Sequence, residues 1–423
     1  MNNYFKKIEK FIFNNYINTY PNKLKDKFTY LIENGKRLRP ILCILFSNIE
    51  YNKNNYSTIT NITDNNSNYN IIYTIATCIE IIHSLSLVLD DLPEMDNDTI
   101  RRNKESFHIK YGIEYTNFFI YYMFNKIGLT LDDCIILSNI NSNNKPELIL
   151  LINIFDDIKY LFQLNLNLLI DGQYNDLEFG EDIFVDSNID NDDDDDLNNY
   201  EYIKEKDIII ELLNNNLDTN LDTNLDNNLD NNKLKKIITL KIINNLELNI
   251  NLNLKKTSSL FTLSITIGYF LQLFNKKINY VNNDEYTIIY ENLHIFGNIL
   301  GYIFQISDDI LDYEDDIKKN NPNICSVLDI SLVLILLKNG CNWLYINAKY
   351  IQQLMENINI EKDIINNVQM NNKSNNKDYI YIDNNSNRNS NSNSNKLTFD
   401  IKAINEIIEN IEKRINRFEV LNL

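Results

Sequence analysis

The sequence predicts an all-α fold: a single helical bundle with Asn- and Asp-rich disordered insertions in its loops. Two observations carry this. Glycine and proline are scarce, 9 and 5 in 423 residues, whereas a sheet protein needs both at its many turns. The apolar segments between the polar tracts are also much longer than the about five or six residues of an ordinary strand. Hydrophobic residues make up 44% of the chain, enough for a sizeable core.

The N-terminal stretch "MNNYFKKIEKFIFNNYI" reads as an amphipathic first helix. It lacks the apolar core and small-residue cleavage site of a signal peptide. Apolar segments with helical spacing follow at 71–89, 118–127, 148–169, 257–274, 286–311 and 330–348. They pack as one domain, 1–423, polar on its outside. Low-complexity insertions fall at about 47–70, 184–234 and 370–397. Their polar repeats bury too little apolar area to offset the cost of ordering. The four-residue repeat that places Leu217, Leu221, Leu225 and Leu229 belongs to the second of them. No run of about 18 apolar residues is free of Asn, Asp or Lys, so no transmembrane segment is expected.

The net charge of −19 excludes a nucleic-acid surface, which needs a basic face. Five cysteines without CxxC spacing read as free thiols of a reducing compartment. A cytoplasmic location is expected, with plastid or mitochondrion as alternatives.

Chemistry enters at "DDLPEMDNDTIRR". Pro93 cannot continue a helix, so the preceding helix ends near Asp91. Asp90 and Asp91 then sit on its last turn, with Asp96 just beyond. Carboxylates gathered there repel one another unless a cation joins them, and Mg²⁺ takes oxygen ligands that it shares with phosphate. The plain alternative is a charged loop. A second cluster, Asp308, Asp309 and Asp312 in "FQISDDILD", lies on one side of another long helix. Facing a core, it too needs a metal or a cationic partner. "GKRLRP" supplies Lys36, Arg37 and Arg39, "IRRNK" supplies Arg101, Arg102 and Lys104, and "LKKTSS" supplies Lys255, Lys256 and Thr257. Arginine forks and lysine point charges beside carboxylates describe a diphosphate site. Intramolecular salt bridges are the alternative for the same residues.

The ordered motifs "GKRLRP", "DDLPEMDNDTIRRNK", "DGQYNDL", "KKTSSLFTLSITIG" and "FQISDDILD" resemble the trans-isoprenyl diphosphate synthases of the short-chain, farnesyl and geranylgeranyl kind. The resemblance implies the isoprenoid synthase fold, an all-α bundle around a deep central cavity, and a homodimer. It implies Mg²⁺ held by Asp90, Asp91, Asp96, Asp308, Asp309 and Asp312. Arg101 matches a ligand of the allylic diphosphate. Lys36, Arg39, His83 and Arg102 match the isopentenyl diphosphate pocket, beside Arg37. Lys256, Thr257 and Gln305 match residues lining the reaction centre. Gly172, Gln173 and Asp176 match a mid-chain Gly-Gln motif. Leu85 and Ser86, one turn before Asp90, take the chain-length positions, and Tyr121 or Tyr122 is the alternative floor.

Two stretches depart from the family pattern. "TNFFIYYMF" lacks its Gly-Asp pair, and "DDIKKNNPNICSVLDISLVLILL" retains lysines but not its Gly-Lys and Lys-x-Thr-x-Pro elements. The expected function is condensation of isopentenyl diphosphate with allylic diphosphates. A weakly active or non-catalytic subunit of a heteromeric synthase and a terpene cyclase are the rivals. The basic "GKRLRP" element speaks against a cyclase, and intact carboxylates in both clusters speak against an idle subunit.

Overall fold

The computed structural model describes residues 1–48, 67–140, 145–182, 202–214, 245–281, 283–319, 323–358 and 397–421. In chain order the helices are α1 (Asn2–Asn14), α2 (Asn22–Ile32), α3 (Leu38–Ser47), α4 (Ser67–Asp90), α5 (Phe107–Tyr111), α6 (Ile113–Ile140) and α7 (Lys145–Asp182). They continue as α8 (Ile203–Asn214), α9 (Asn245–Lys276), α10 (Asp284–Lys319), α11 (Ile330–Asn357) and α12 (Ile401–Leu421). The predicted all-α architecture holds.

Helix α9 is the axis. Every residue from Ser259 to Phe274 is buried. "SLFTLSITIGYFLQLF" offers no polar face, and a helix apolar all round needs neighbours on all sides. Helices α3, α4, α7 and α10 supply them. Several of the hydroxyls on α9 are satisfied close by, whereas Ser258 Oγ and Ser259 Oγ have no hydrogen-bond partner among the described residues. Ser264 and Thr266 donate to the carbonyls of Leu260 and Thr262, four residues back, and Thr262 donates to Asn298 Oδ1 at 2.6 Å.

Two helices, Asn70–Asp90 and Asn245–Lys276, are long and apolar enough to cross a bilayer. The expectation that none would be is corrected on that count. Their apolar windows are 83% and 100% buried within the protein, which is the condition of core helices.

The insertion boundaries also need correcting. Most of 47–70, 184–234 and 370–397, including the leucine repeat, lies outside the described residues. Within the second stretch, however, α8 is a folded helix. Tyr202, Ile209, Leu212 and Leu213 are buried, and Asn339 donates to the Leu212 carbonyl at 2.8 Å. Glu205 accepts from Asn298 at 2.9 Å and lies 3.7 Å from His294 Nδ1, both on α10. "YIKEKDIIIELL" carries apolar residues at helical spacing inside a polar tract. The surrounding composition masks that spacing.

One further element interrupts the helices. Ile100–Arg101 (β1) pairs antiparallel with Lys104–Glu105 (β2). Arg102 and Asn103, between them, have φ of 52° and 62°. Two left-handed residues make the tight turn that matches strand twist, and asparagine tolerates that region better than most.

Close approach of α9 to its neighbours depends on glycines at several crossings, two of them at the start of its buried stretch. A Cβ at Gly301 of α10 would lie 2.5 Å from Ser258 Cα, and one at Gly172 of α7 would lie 2.6 Å from the Lys256 nitrogen. Both collisions are with backbone or its adjacent atoms, which cannot swing aside. We expect Gly301→Ala to destabilise the fold by about 1–3 kcal/mol, the usual cost of overpacking. A fall in the urea midpoint with an unchanged slope checks this.

Candidate active site

The site is organised by a break in α9. Leu254–Ser258 is a π-helical turn, which advances the chain by one extra residue and alters which side chains face the same way. Consecutive residues there reach opposite walls. Lys256 Nζ lies 3.6 Å from Asp90 Oδ1 on α4. Thr257 Oγ1 donates to Gln305 Oε1 on α10 at 2.8 Å. The two carboxylate clusters read from the sequence thus meet across one turn.

The first cluster forms where α4 stops, at Asp90. The Asp96 N–H donates to the Asp90 carbonyl at 2.9 Å and caps the helix end, so Asp96 returns beside Asp90. Asp91 turns inward. It is 1% exposed, and its Oδ1 accepts from Arg101 Nε at 2.8 Å and from Arg101 Nη2. Burial pushes its carboxyl up, opposed by that arginine. The hairpin sends its two arginines apart: Arg101 reaches Asp91, while Arg102 donates to the Glu33 carbonyl at 3.3 Å. Lys104 pairs with Glu33 and lies 3.8 Å from the centre of the Tyr30 ring.

The second cluster divides in the same way. Asp309 is 4% exposed, and its oxygens accept from Gln305 Nε2 at 2.7 Å and from the Ile324 N–H at 3.1 Å. Burial raises its pKa to about 7. Asn323 donates to the Asp309 carbonyl and to Asp316, each at 2.8 Å, and so ties the following loop to the cluster. Asp312 lies on the exposed side of α10. Asp308 pairs with Arg414 of α12 and is faced by Lys36 and Arg39. Its carboxyl is raised by burial against the pull of those cations.

The basic motif does three separate things. Lys36 is exposed. Arg39 lies 4.7 Å from the centre of the Phe261 ring, and burial brings its pKa down to about 10. Arg37, expected at the substrate, is 1% exposed and is taken up by Glu9 at 2.6 Å and Glu80 at 2.8 Å. For this residue the salt-bridge alternative is the one the structure contains. Arg37 caps α3 with a φ of 55°, and the left-handed backbone directs its side chain into the core. His83 lies among Arg39, Arg102, Arg37 and Arg101; burial first, and then those charges, push its pKa well below the ordinary value.

Among the remaining residues, Leu85 is fully buried. Ser86 donates to the His83 carbonyl at 2.9 Å. Tyr121 is 72% exposed and cannot be a tunnel floor. Gly172 packs on the π-turn with Gln173 beside it, and the side chain of Asp176 lies outside the described residues.

Among the described residues, no three acidic, histidine or cysteine side chains converge to hold a metal ion. The donor set still fits Mg²⁺, because it offers carboxylate oxygens alone. Asp91 and Asp309 have inward partners, which leaves Asp90, Asp96, Asp308 and Asp312 as the carboxylates that could hold a metal shared with phosphate. Sequence reasoning missed Arg414, which is 106 positions from Asp308 and in no motif. It also missed Glu80 and Glu9, which hold Arg37, and Asn323, which holds the loop.

His83 supplies a pH test. With its folded pKa lowered, the unfolded chain binds more protons below pH 6.5, so stability is full above that value and falls as the pH drops. We expect a slope of up to about 1.4 kcal/mol per pH unit there, reduced in His83→Gln. Urea melts at pH 7 and pH 5.5 measure it.

Residues 21–206 match the family model described as polyprenyl synthetase. A geranylgeranyl diphosphate synthase of Cyanophora paradoxa is 37% identical over 93 residues, 22% of this chain and 26% of that protein. The aligned stretches span about a quarter of the length of the first curated relatives. A FPP/GFPP synthase from Zymomonas mobilis superposes with a TM-score of 0.51 at 16% identity, over 82% of this chain and 93% of that one. A geranyltransferase from Legionella pneumophila gives 0.50 at 16%, over 84% and 90%. These two likenesses establish the fold. The five ordered motifs and the family model matched over residues 21–206 mark the chain as similar to the polyprenyl synthetases.

Proposed function

We propose that this chain is a prenyltransferase that condenses isopentenyl diphosphate with allylic diphosphates, with geranylgeranyl diphosphate as product. The observation that carries the reading is the π-turn, whose consecutive residues Lys256 and Thr257 reach Asp90 on one wall and Gln305 on the other.

Each residue has a task that its geometry suits. Lys256 and Arg101 supply positive charge where the allylic diphosphate departs with the electron pair of its C–O bond. Asp90, Asp96, Asp308 and Asp312 would hold Mg²⁺, which would supply further neutralisation of that leaving group. Asp309 accepts the Gln305 amide N–H and so aims the amide oxygen at Thr257. The Thr257 and Gln305 oxygens form a fixed dipole pair beside the allylic carbon, where positive charge develops. Lys36, Arg39, Arg102 and His83 hold the second diphosphate. Burial, and then the surrounding arginines, disfavour the charged form of His83 in the free chain, and a bound diphosphate would offset the arginines. The double bond of isopentenyl diphosphate attacks the allylic carbon, and the proton then lost passes to the departing diphosphate.

The geranylgeranyl assignment rests on Leu85, a buried leucine one turn before Asp90 where an aromatic ring would raise the floor; farnesyl diphosphate is the alternative product. A homodimer is part of the same reading. Phe118, Tyr121, Leu129 and Ile136 leave an apolar stripe 52–75% exposed along α6, and a second copy would cover it. The five buried free cysteines suit the cytoplasm, which we propose as the compartment.

The deciding assay is incorporation of labelled isopentenyl diphosphate with an allylic primer and Mg²⁺. We expect turnover to fall at least about a hundredfold in Asp90→Ala and in Asp308→Ala, with melting nearly unchanged. Near wild-type turnover in either variant defeats the two-cluster reading, and a cyclised hydrocarbon product would favour the cyclase. Chromatography of dephosphorylated products should give twenty carbons for the wild type and a shorter chain for Leu85→Phe.

A further inference from the structure

Arg414 belongs to none of the motifs, yet it is built into the second carboxylate wall. Its Nη1 donates to Ser307 Oγ at 2.9 Å and to Asp308 Oδ1, and its guanidinium carbon lies 4.7 Å from the centre of the Phe304 ring. All three partners lie within about one turn of α10. The Arg414 side chain is 18% exposed and that of Asp308 31%, so the pair is neither in open water nor sealed in the core. Helix α12 delivers it by burying Ile404, Ile407, Ile408 and Ile411, the last of them just before the arginine. Lys36 and Arg39 also act on Asp308. Arg39 is shared with Glu80, which leaves Arg414 and Lys36 as two cations on the one carboxylate of Asp308. That excess suits an anion, and a guanidinium fork matches phosphate oxygens.

The geometry points to Arg414 as a diphosphate-binding residue that works as a latch. It holds Asp308 in the metal-free chain and exchanges that carboxylate for diphosphate oxygens when a divalent cation takes Asp308. This rests on the prenyl-transfer reading of the same site. A metal ion and a guanidinium on one carboxylate repel, so the arriving cation weakens the hold of Arg414 on Asp308. Anchored by the isoleucines of α12, it stays at the mouth with its N–H donors released.

The test uses the full chain and the variants R414Q and R414K, with no turnover required. Mn²⁺ alone, followed by electron paramagnetic resonance, should bind about two- to fivefold more tightly to R414Q, the scale of a partly exposed ion pair. Inorganic diphosphate with saturating Mg²⁺, followed by calorimetry, should bind about tenfold more weakly. R414K, which keeps the charge without the fork, should fall between wild type and R414Q in the second measurement, and it decides the matter if R414Q does not fold. Unchanged or weaker Mn²⁺ binding in R414Q, or retained diphosphate affinity in both variants, overturns the latch. A chain that transfers no prenyl group but shows both shifts overturns the proposed reaction and supports the latch.

Discussion

The site depends on the π-turn of α9 and on the two contacts that hold it. Gly172 lets α7 approach the backbone at Lys255 and Lys256, and Gly301 lets α10 approach Ser258. A regular helix would separate Lys256 and Thr257 by about 100° and send one of them away from the cavity side. An extra residue in the turn is tolerated only where neighbours fix it, and here both neighbouring helices come in at glycine. One local distortion, clamped from two sides, lets a single helix address two carboxylate clusters.

Around that turn the ion pairs fall into two kinds. Arg37 with Glu80 is buried on both sides, so removing either partner would leave a charge in a place water cannot reach. In Asp91 with Arg101 only the carboxylate is buried, and the arginine is 33% exposed. These two pairs fix α1, α3, α4 and the hairpin relative to one another. Lys256 with Asp90, and Arg414 with Asp308, are partly exposed on both sides. Pairs of that kind can be exchanged at small cost. Arginine and aspartate therefore serve in both kinds of pair, and how deeply the carboxylate and its partner are buried differs from pair to pair.

Depth is also what the sequence hides. Helical spacing and the scarcity of glycine and proline made the bundle legible, and the aspartate clusters marked the helix ends that carry them. Pro93 correctly located the end of α4. The division within each cluster was not legible. Asp90 and Asp91 are adjacent, and only the hairpin, with its left-handed Arg102 and Asn103, turns Arg101 inward onto Asp91. Arg37 was unreadable for a similar reason, since its partners Glu9 and Glu80 come from distant helices. The α8 helix was hidden by composition, because its few buried residues are diluted by the Asn- and Asp-rich tracts on either side.

The burial of α9 bears on how the chain is made. This helix has the length and hydropathy of a bilayer span, and it becomes a core helix only when wrapped. Parts of its wrapping come late. Gln272 donates to the Thr398 carbonyl, and Phe399 stacks on Phe46 of α3 at 4.5 Å. At ordinary synthesis rates the ribosome needs on the order of ten seconds to go from the end of α9 to the start of α12. For that interval a core helix with the hydropathy of a bilayer span stands incompletely covered. Its growing chain therefore presents to chaperones and membranes a surface that the finished molecule never shows.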